Sequence, residues 1–402
     1  MSEQTLPSTS KPRSLNRAIW AMLPLILLAG VIVLFLAGGA GLPSQAGLPP
    51  IEELTVQRVR LPAADELIVE VMNSGPDPVT IAQVLVDDAY WTFSIDPGPE
   101  LARLASATIR IPYPWVEGEA HTIVLVTSTG TLFEVAIPVA ISTPTFDLSA
   151  FLNFALIGIY IGVIPVGLGM LWHPFMRGLR RRTMDAILAL TLGLLVFLLI
   201  DTASEGLEIA AAVPGSLQGL ILFGASTLLA YLLIQIVSSR RGAKAGEAAG
   251  RYSVAWMLAI GIGLHNLAEG LVVGAAYASG AASLGAFLVI GFTLHNVTEG
   301  IGIAAPIAQD RLSVGRFIGL TAIAGLPAIL GTWIGGFAYS NVAATLFLGI
   351  GTGAIVQVII EVGKLLLRHG QRESQSAATW PNIIGFAAGL AIMYATALLV
   401  AV

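Results

Sequence analysis

The chain has 402 residues, of which 55% are hydrophobic and only 11% charged, with a formal net charge of −5. Soluble chains carry about 25% charged residues, so the composition excludes an ordinary water-soluble globular protein. There is no cysteine, which rules out both a disulfide framework and thiolate metal ligation.

Apolar stretches long enough to cross a bilayer as helices, about 20 residues each, are expected at 18–40, 149–172, 183–210, 216–238, 253–278, 282–308, 314–338, 342–366 and 380–402. The first follows Lys11, Arg13 and Arg17 and reads as an uncleaved anchor. A cleaved secretory signal is the alternative, but its apolar core usually runs about 7–15 residues, shorter than this stretch. Residues 44–147 read as an extracytoplasmic β domain. Alternating or β-branched runs at 55–61, 66–72, 80–86, 107–111, 122–127 and 132–139 are separated by turn clusters such as Asn73, Ser74, Gly75 and Pro76. Short strands at this spacing predict a small β-sandwich. The segment 51–147 holds 14 acidic residues and four Arg, which fits either a solvated surface or an acidic antechamber that concentrates cations. Residues 148–402 form the predicted eight-helix core, giving an all-α polytopic membrane protein with an added anchor helix and external β domain.

The basic residues sort by loop. Arg177, Arg180, Arg181 and Arg182 follow the second span, Arg240, Arg241, Lys244 and Arg251 lie between the fourth and fifth, Arg311 and Arg316 between the sixth and seventh, and Lys364, Arg368 and Arg372 after the eighth. The intervening loops 211–215, 279–281 and 339–341 have none. The positive-inside rule then places the N-terminus in the cytoplasm and the β domain and C-terminus outside an inner or plasma membrane. Trp20, Trp172, Trp256 and Trp380 fall at the predicted cytoplasmic ends, as an interfacial aromatic belt requires.

A hexapeptide recurs in the middle of two adjacent spans. His265, Asn266, Glu269 and Gly270 are repeated thirty residues later as His295, Asn296, Glu299 and Gly300. A carboxylate at mid-bilayer costs about 2.5–3.5 kcal/mol on insertion scales, so polar residues there are functional candidates by default. On a helix, i and i+4 share a face, so each His lies over its Glu with the Asn about 100° around. A short loop makes the two helices antiparallel and approximates a two-fold axis in the membrane plane, as in inverted-repeat transporters. Two imidazoles, two carboxylates and two amides facing one another suit a borderline divalent cation such as zinc. Gly261, Gly263, Gly270, Gly274 and Gly285 would let these helices approach closely. His121, His173 and His369 are isolated and read as ordinary histidines.

Over roughly 149–402 the chain resembles the ZIP family of zinc and iron permeases, particularly its bacterial branch, whose fourth and fifth core helices read His-Asn-x-Pro-Glu-Gly. The resemblance implies a main metal site of His265, Glu269, His295 and Glu299, with Asn266 and Asn296 lining an adjoining one. It also implies an access path at Asp201 and Glu205 near the outer mouth and an exit carboxylate at Glu361, which follows Gly353 and Ala354. Glu208 can share a face with Asp201 and Glu205, and solvation at a headgroup boundary is the plainer reading of all three. For Glu361 the plainer reading is a local ion pair with Lys364. The chain departs from the family at Ala268 and Thr298, which occupy the motif's proline positions, and at 313–337, where no carboxylate stands in for the family's bridging glutamate.

The function expected is uptake of a divalent cation, most plausibly Zn²⁺, into the cytoplasm by alternating access, with no enzymatic activity and no cofactor beyond the cation as substrate. Without a bridging carboxylate the site is expected to hold one ion. A non-transporting receptor or assembly subunit whose working part is the β domain is the principal alternative. An intramembrane zinc hydrolase is a further one, although the His-Glu-x-x-His helix motif of zinc proteases is absent. Expected partners are the ion and membrane lipid, with room for a homodimer and for an unidentified protein on the β domain, and no nucleic acid.

Overall fold

The structure is a computed structural model describing residues 14–37, 50–63, 65–242, 247–278, 282–372 and 376–400. Expectations that fall on 1–13, 38–49, 243–246 and 279–281, including Lys11, Arg13, Lys244 and the loop between the two motif helices, lie outside the described residues. The chain divides into two compact units, Met1–Pro50 and Ile51–Val402. The first contains helix α1 (Ser14–Ala37), 24 residues with Pro24 inside. Its described apolar stretch, Met22–Leu34, is shorter than the spans of the second unit.

The second unit begins with nine strands: β1 (Leu54–Ala63), β2 (Glu66–Asn73), β3 (Val79–Val86), β4 (Ala89–Tyr90), β5 (Ser94–Asp96), β6 (Glu100–Leu101), β7 (Ser106–Ile111), β8 (His121–Thr127) and β9 (Leu132–Ile137). The six expected runs are the six long strands. The pairing order is β1-β2-β7-β5 in one sheet and β4-β3-β8-β9 in the other, with β6 added to β3. Burial alternates strictly along β8, the mark of a strand with one face in a core. Val69, Val71 and Ile109 from one sheet share that core with Val84, Ile123 and Leu125 from the other, each burial contributing about 1.5–3 kcal/mol. Asp87 and Asp88 link β3 to β4 with φ of 49° and 64°, the left-handed pair that a two-residue hairpin turn demands.

Helices follow: α2 (Leu148–Gly158), a π-helical turn (Ile159–Val163), α3 (Ile164–Met170), α4 (His173–Met176), α5 (Arg181–Ala211), α6 (Gly219–Gly242), α7 (Glu247–Ala278), α8 (Ala282–Ala304), α9 (Val314–Ala338), α10 (Asn341–Arg372) and α11 (Trp380–Val400). Asp147 starts the series by accepting a hydrogen bond from the Ala150 amide at 2.7 Å, which satisfies an otherwise orphaned donor. Among the described residues eight stretches are long and apolar enough to cross a membrane, with α2 to α4 forming the first, Leu148–Met176. The protein is mostly helical and integral to a membrane, with a separate small β region.

The spans sort by packing into two groups of four. The first span, α7, α8 and α9 form one, and α5, α6, α10 and α11 the other, joined chiefly where α7 meets α10. The α7 stretch is 78% buried and the α11 stretch 11%, so α7 is central and α11 peripheral. Close approaches repeat in pairs. A Cβ on Gly331 of α9 would run into the Leu267 carbonyl of α7, and one on Gly300 of α8 would run into the Val166 carbonyl of α3. Close approaches likewise join α5 to α11 (Gly193, Gly389) and α10 to α6 (Gly349, Gly353).

The β region is fastened to the site-bearing group. Arg58 of β1 donates to the Phe337 carbonyl at 2.9 Å and to that of Gly336 at 3.2 Å, a cation on the negative end of α9. Phe146 packs edge-on against Phe337 at 4.8 Å. A cavity of about 280 Å³ lies beside this junction, lined in part by Arg58, Thr143, Ala275, Ala278 and Tyr339.

Candidate metal centre

His265, Asn266 and Glu269 project from α7 and His295, Asn296 and Glu299 from α8, and all six side chains are buried. Both histidines fall near the middle of their spans, Gly250–Ala278 and Leu284–Ile307. His265, His295 and Glu299 each offer one ligand atom within 4.8 Å of the others. Donors about 2 Å from a single zinc ion would have to draw closer together than that spacing, and Glu269 stands outside this trio.

The two glutamates of the repeat differ in surroundings. Glu269 Oε1 lies 2.9 Å from His265 Nε2 and 2.5 Å from His295 Nε2, and its Oε2 accepts from Asn296 Nδ2 at 2.9 Å. This carboxylate therefore ties the two imidazoles together. Among the described residues neither oxygen of Glu299 accepts a close hydrogen bond, although the Asn266 amide stands beside it. A buried carboxylate without donors costs several kcal/mol, and only a cation or a proton can satisfy it.

The asparagines hold the frame. Asn296 Nδ2 donates to the Ile161 carbonyl at 2.7 Å, four residues before Pro165. Proline has no N–H, so that carbonyl lacks its helical donor, and the chain opens there into the π-helical turn Ile159–Val163. Asn266 Nδ2 donates to the Ala324 carbonyl of α9 at 3.0 Å. The motif helices lack prolines at Ala268 and Thr298, and the first span supplies a break at Pro165. Asn266 Oδ1 and Asn296 Oδ1 remain buried without donors. The centre thus offers buried acceptors in excess of donors, a field suited to a cation.

A cavity of about 420 Å³ reaches His295, lined by Asp201, Ser204, Glu205 and Glu208 of α5 with Leu288 and Phe292 of α8 and Met393 and Thr396 of α11. It opens towards the end of the bundle that carries the β region, since α5 ends there and α8 starts there. Asp201, Glu205 and Glu208 thus line one approach to the centre. Glu361 is not brought to it. Its Oε1 pairs with Lys364 Nζ at 3.0 Å and accepts from Gln357 Nε2 at 3.3 Å. His121 bonds Asp87 through Nδ1 at 2.8 Å, and His173 Nε2 lies 3.0 Å from the Ile307 carbonyl. The His369 side chain lies outside the described residues.

Sequence reasoning missed Thr202, whose Oγ1 is 3.3 Å from His265 Nδ1, and the two carbonyls held by the asparagines. Pro165 was the readable sign of the Ile161 carbonyl. No model of a known protein family matches the chain, and no curated protein matches it.

Proposed function

We propose that the protein is a divalent-cation transporter, similar in plan to the ZIP permeases, that carries Zn²⁺ into the cytoplasm through the His265, Glu269, His295 and Glu299 centre. The observation that carries this reading is Glu299: a buried carboxylate with no close hydrogen bond at either oxygen among the described residues, beside two imidazoles, at mid-depth of a bundle of membrane-length helices. A single ion with two positive charges balances the two glutamates. A cation arriving from the β-region side meets Asp201, Glu205 and Glu208, sheds water against them and reaches His295 at the end of the cavity. Rocking of the site-bearing group against α5, α6, α10 and α11 then exposes the ion to the other side. In this reading α1 is an uncleaved anchor with its N-terminus cytoplasmic, and the β region and C-terminus are extracytoplasmic. Imidazole must be neutral and carboxylate ionised to bind, so affinity falls in acid.

The grip of Arg58 on α9 favours a second reading, in which the β region senses a partner and the core reports it without transporting. Proteoliposomes loaded with a zinc-sensitive dye separate the two. The transporter reading expects zinc-dependent signal above that of protein-free vesicles, and equal signals would leave the receptor reading standing.

A further inference from the structure

Thr202 stands on α5, in the helix group that contributes none of the six motif side chains, and it is buried. Among the described residues, the hydrogen bonds of those side chains run to one another, to α9 and to the first span, and in one case to α5 through Thr202. His265 is thereby held at both nitrogens: Nε2 by Glu269 at 2.9 Å and Nδ1 by the Thr202 hydroxyl at 3.3 Å.

An ionised carboxylate only accepts, so the proton of a neutral His265 ring sits on Nε2 against Glu269, and Nδ1 presents a lone pair to which Thr202 donates. A cation bound at Nε2 takes the place of that N–H. The same neutral ring then carries its single proton on Nδ1, and the Thr202 oxygen must accept. A hydroxyl is both donor and acceptor and serves each form by turning about its C–O bond, whereas a methyl group serves neither. Metal-bound histidines ordinarily have their second nitrogen fixed by such a partner.

We propose that Thr202 is a positioning residue of the cation centre, holding the His265 ring from the opposite helix group and following it from the Nε2–H form to the Nδ1–H form when a cation displaces Glu269 from Nε2. Because Thr202 and His265 belong to different groups, rocking of one group against the other makes or breaks this contact. The inference rests on the reading of His265 as a ligand, and its test is chosen to separate the two.

The test uses the full chain in lipid nanodiscs with ¹⁵N-labelled histidine, compared with Thr202→Val, which removes the hydroxyl at nearly constant volume, and Thr202→Ser, which keeps it. Histidine ¹⁵N shifts report which nitrogen carries the proton, and calorimetric zinc titration reports affinity. The expected result is an Nε2–H form of His265 that becomes Nδ1–H with zinc in the wild type and in Thr202→Ser. In Thr202→Val zinc affinity should fall about ten- to a hundred-fold, the usual cost of losing such a partner, while Thr202→Ser stays within about threefold of the wild type. If Thr202→Val does not fold, Thr202→Ala takes its place with the same readouts. A hydroxyl-free variant with wild-type shifts and affinity overturns the proposal, as does a Thr202→Ser variant as impaired as Thr202→Val. A wild type that takes up no zinc sinks the cation reading itself, while the zinc-free shifts of the variants still decide whether Thr202 sets the ring.

Discussion

Glu269 and His295 stand on different helices, yet the Oε1 of one lies 2.5 Å from the Nε2 of the other, whereas Glu299, the counterpart of Glu269 in the repeat, accepts no close hydrogen bond among the described residues. Two residues in the same sequence setting thus have different surroundings. In the transporter reading Glu269 organises the centre before a cation arrives, and Glu299 exchanges a proton for the cation.

Substitution separates these roles. Glu269→Ala leaves two imidazoles and Asn296 without their acceptor, so it should lower the stability of the metal-free protein by about 1–3 kcal/mol as well as abolish uptake. Glu299→Gln keeps the shape of the side chain but cannot ionise, so uptake should be lost with the metal-free melting temperature little changed. Thermal melting in detergent, without metal, checks both. Equal destabilisation by the two substitutions would show that the asymmetry is absent in solution.

The number of ions follows from charge. Two divalent ions in contact need bridging carboxylates, and 313–337 contains none. Glu269 and Glu299 balance one Zn²⁺. Elemental analysis of the purified, zinc-loaded protein should return about one zinc per chain bound with high affinity, and Glu299→Gln should return none. Two tightly bound ions per chain in the wild type would mean that Asp201 or Glu205 reaches further in than the cavity wall.

The hexapeptide, the eight spans and the six long strands were legible because each has a local cause: polar residues set in apolar helices, runs of about 20 apolar residues, and alternation bounded by turns. The inequivalence of Glu269 and Glu299 was not legible. It depends on which carboxylate the packing of α7 against α8 leaves between the two rings, and both copies of the motif read alike. The asparagine contacts were half legible, since Pro165 announces a carbonyl in need of a donor at Ile161 but not which side chain reaches it, and nothing announced the Ala324 carbonyl. Thr202 carried no signal at all, being one threonine in an apolar helix brought to His265 only by tertiary packing.

The β region should respond to pH through Asp87. Partial burial raises its carboxyl, but the Thr122 amide, His121 and Tyr113 more than offset this and leave it below the usual carboxylate range. The Tyr113 hydroxyl, partly buried and bonded to Asp87, is pushed up to about 12. A lowered acid contributes stability that is present above its unfolded pKa and lost as pH falls through the folded one. A raised phenol contributes stability that is present below its unfolded pKa and lost as pH rises towards 12. Melting of the β region should therefore weaken at both extremes, modestly because these groups are solvent-screened. Asp87→Asn should flatten the acid limb, and an unchanged acid limb in that variant would contradict the assignment.

Arg58 should matter to the bundle although it lies in the β region. Its paired bonds to the Gly336 and Phe337 carbonyls cap α9, so Arg58→Ala should cost about 1–3 kcal/mol. Arg58→Lys should recover only part of this, because a single ammonium cannot reproduce the two-pronged geometry. Removal of residues 1–145 takes Arg58 away but leaves all six motif side chains in place, so reduced yet measurable zinc uptake is expected. Complete loss of uptake in a correctly inserted truncation would make the β region part of the mechanism.

The central claim is that a divalent cation crosses the membrane through the His265, Glu269, His295 and Glu299 centre. Uptake of radiolabelled zinc into proteoliposomes, measured side by side for the wild type and Glu299→Gln at matched insertion, tests it most directly. The account predicts saturable uptake by the wild type and none above empty vesicles for Glu299→Gln. Wild-type rates from the Glu299→Gln protein, or no uptake by either, would contradict it.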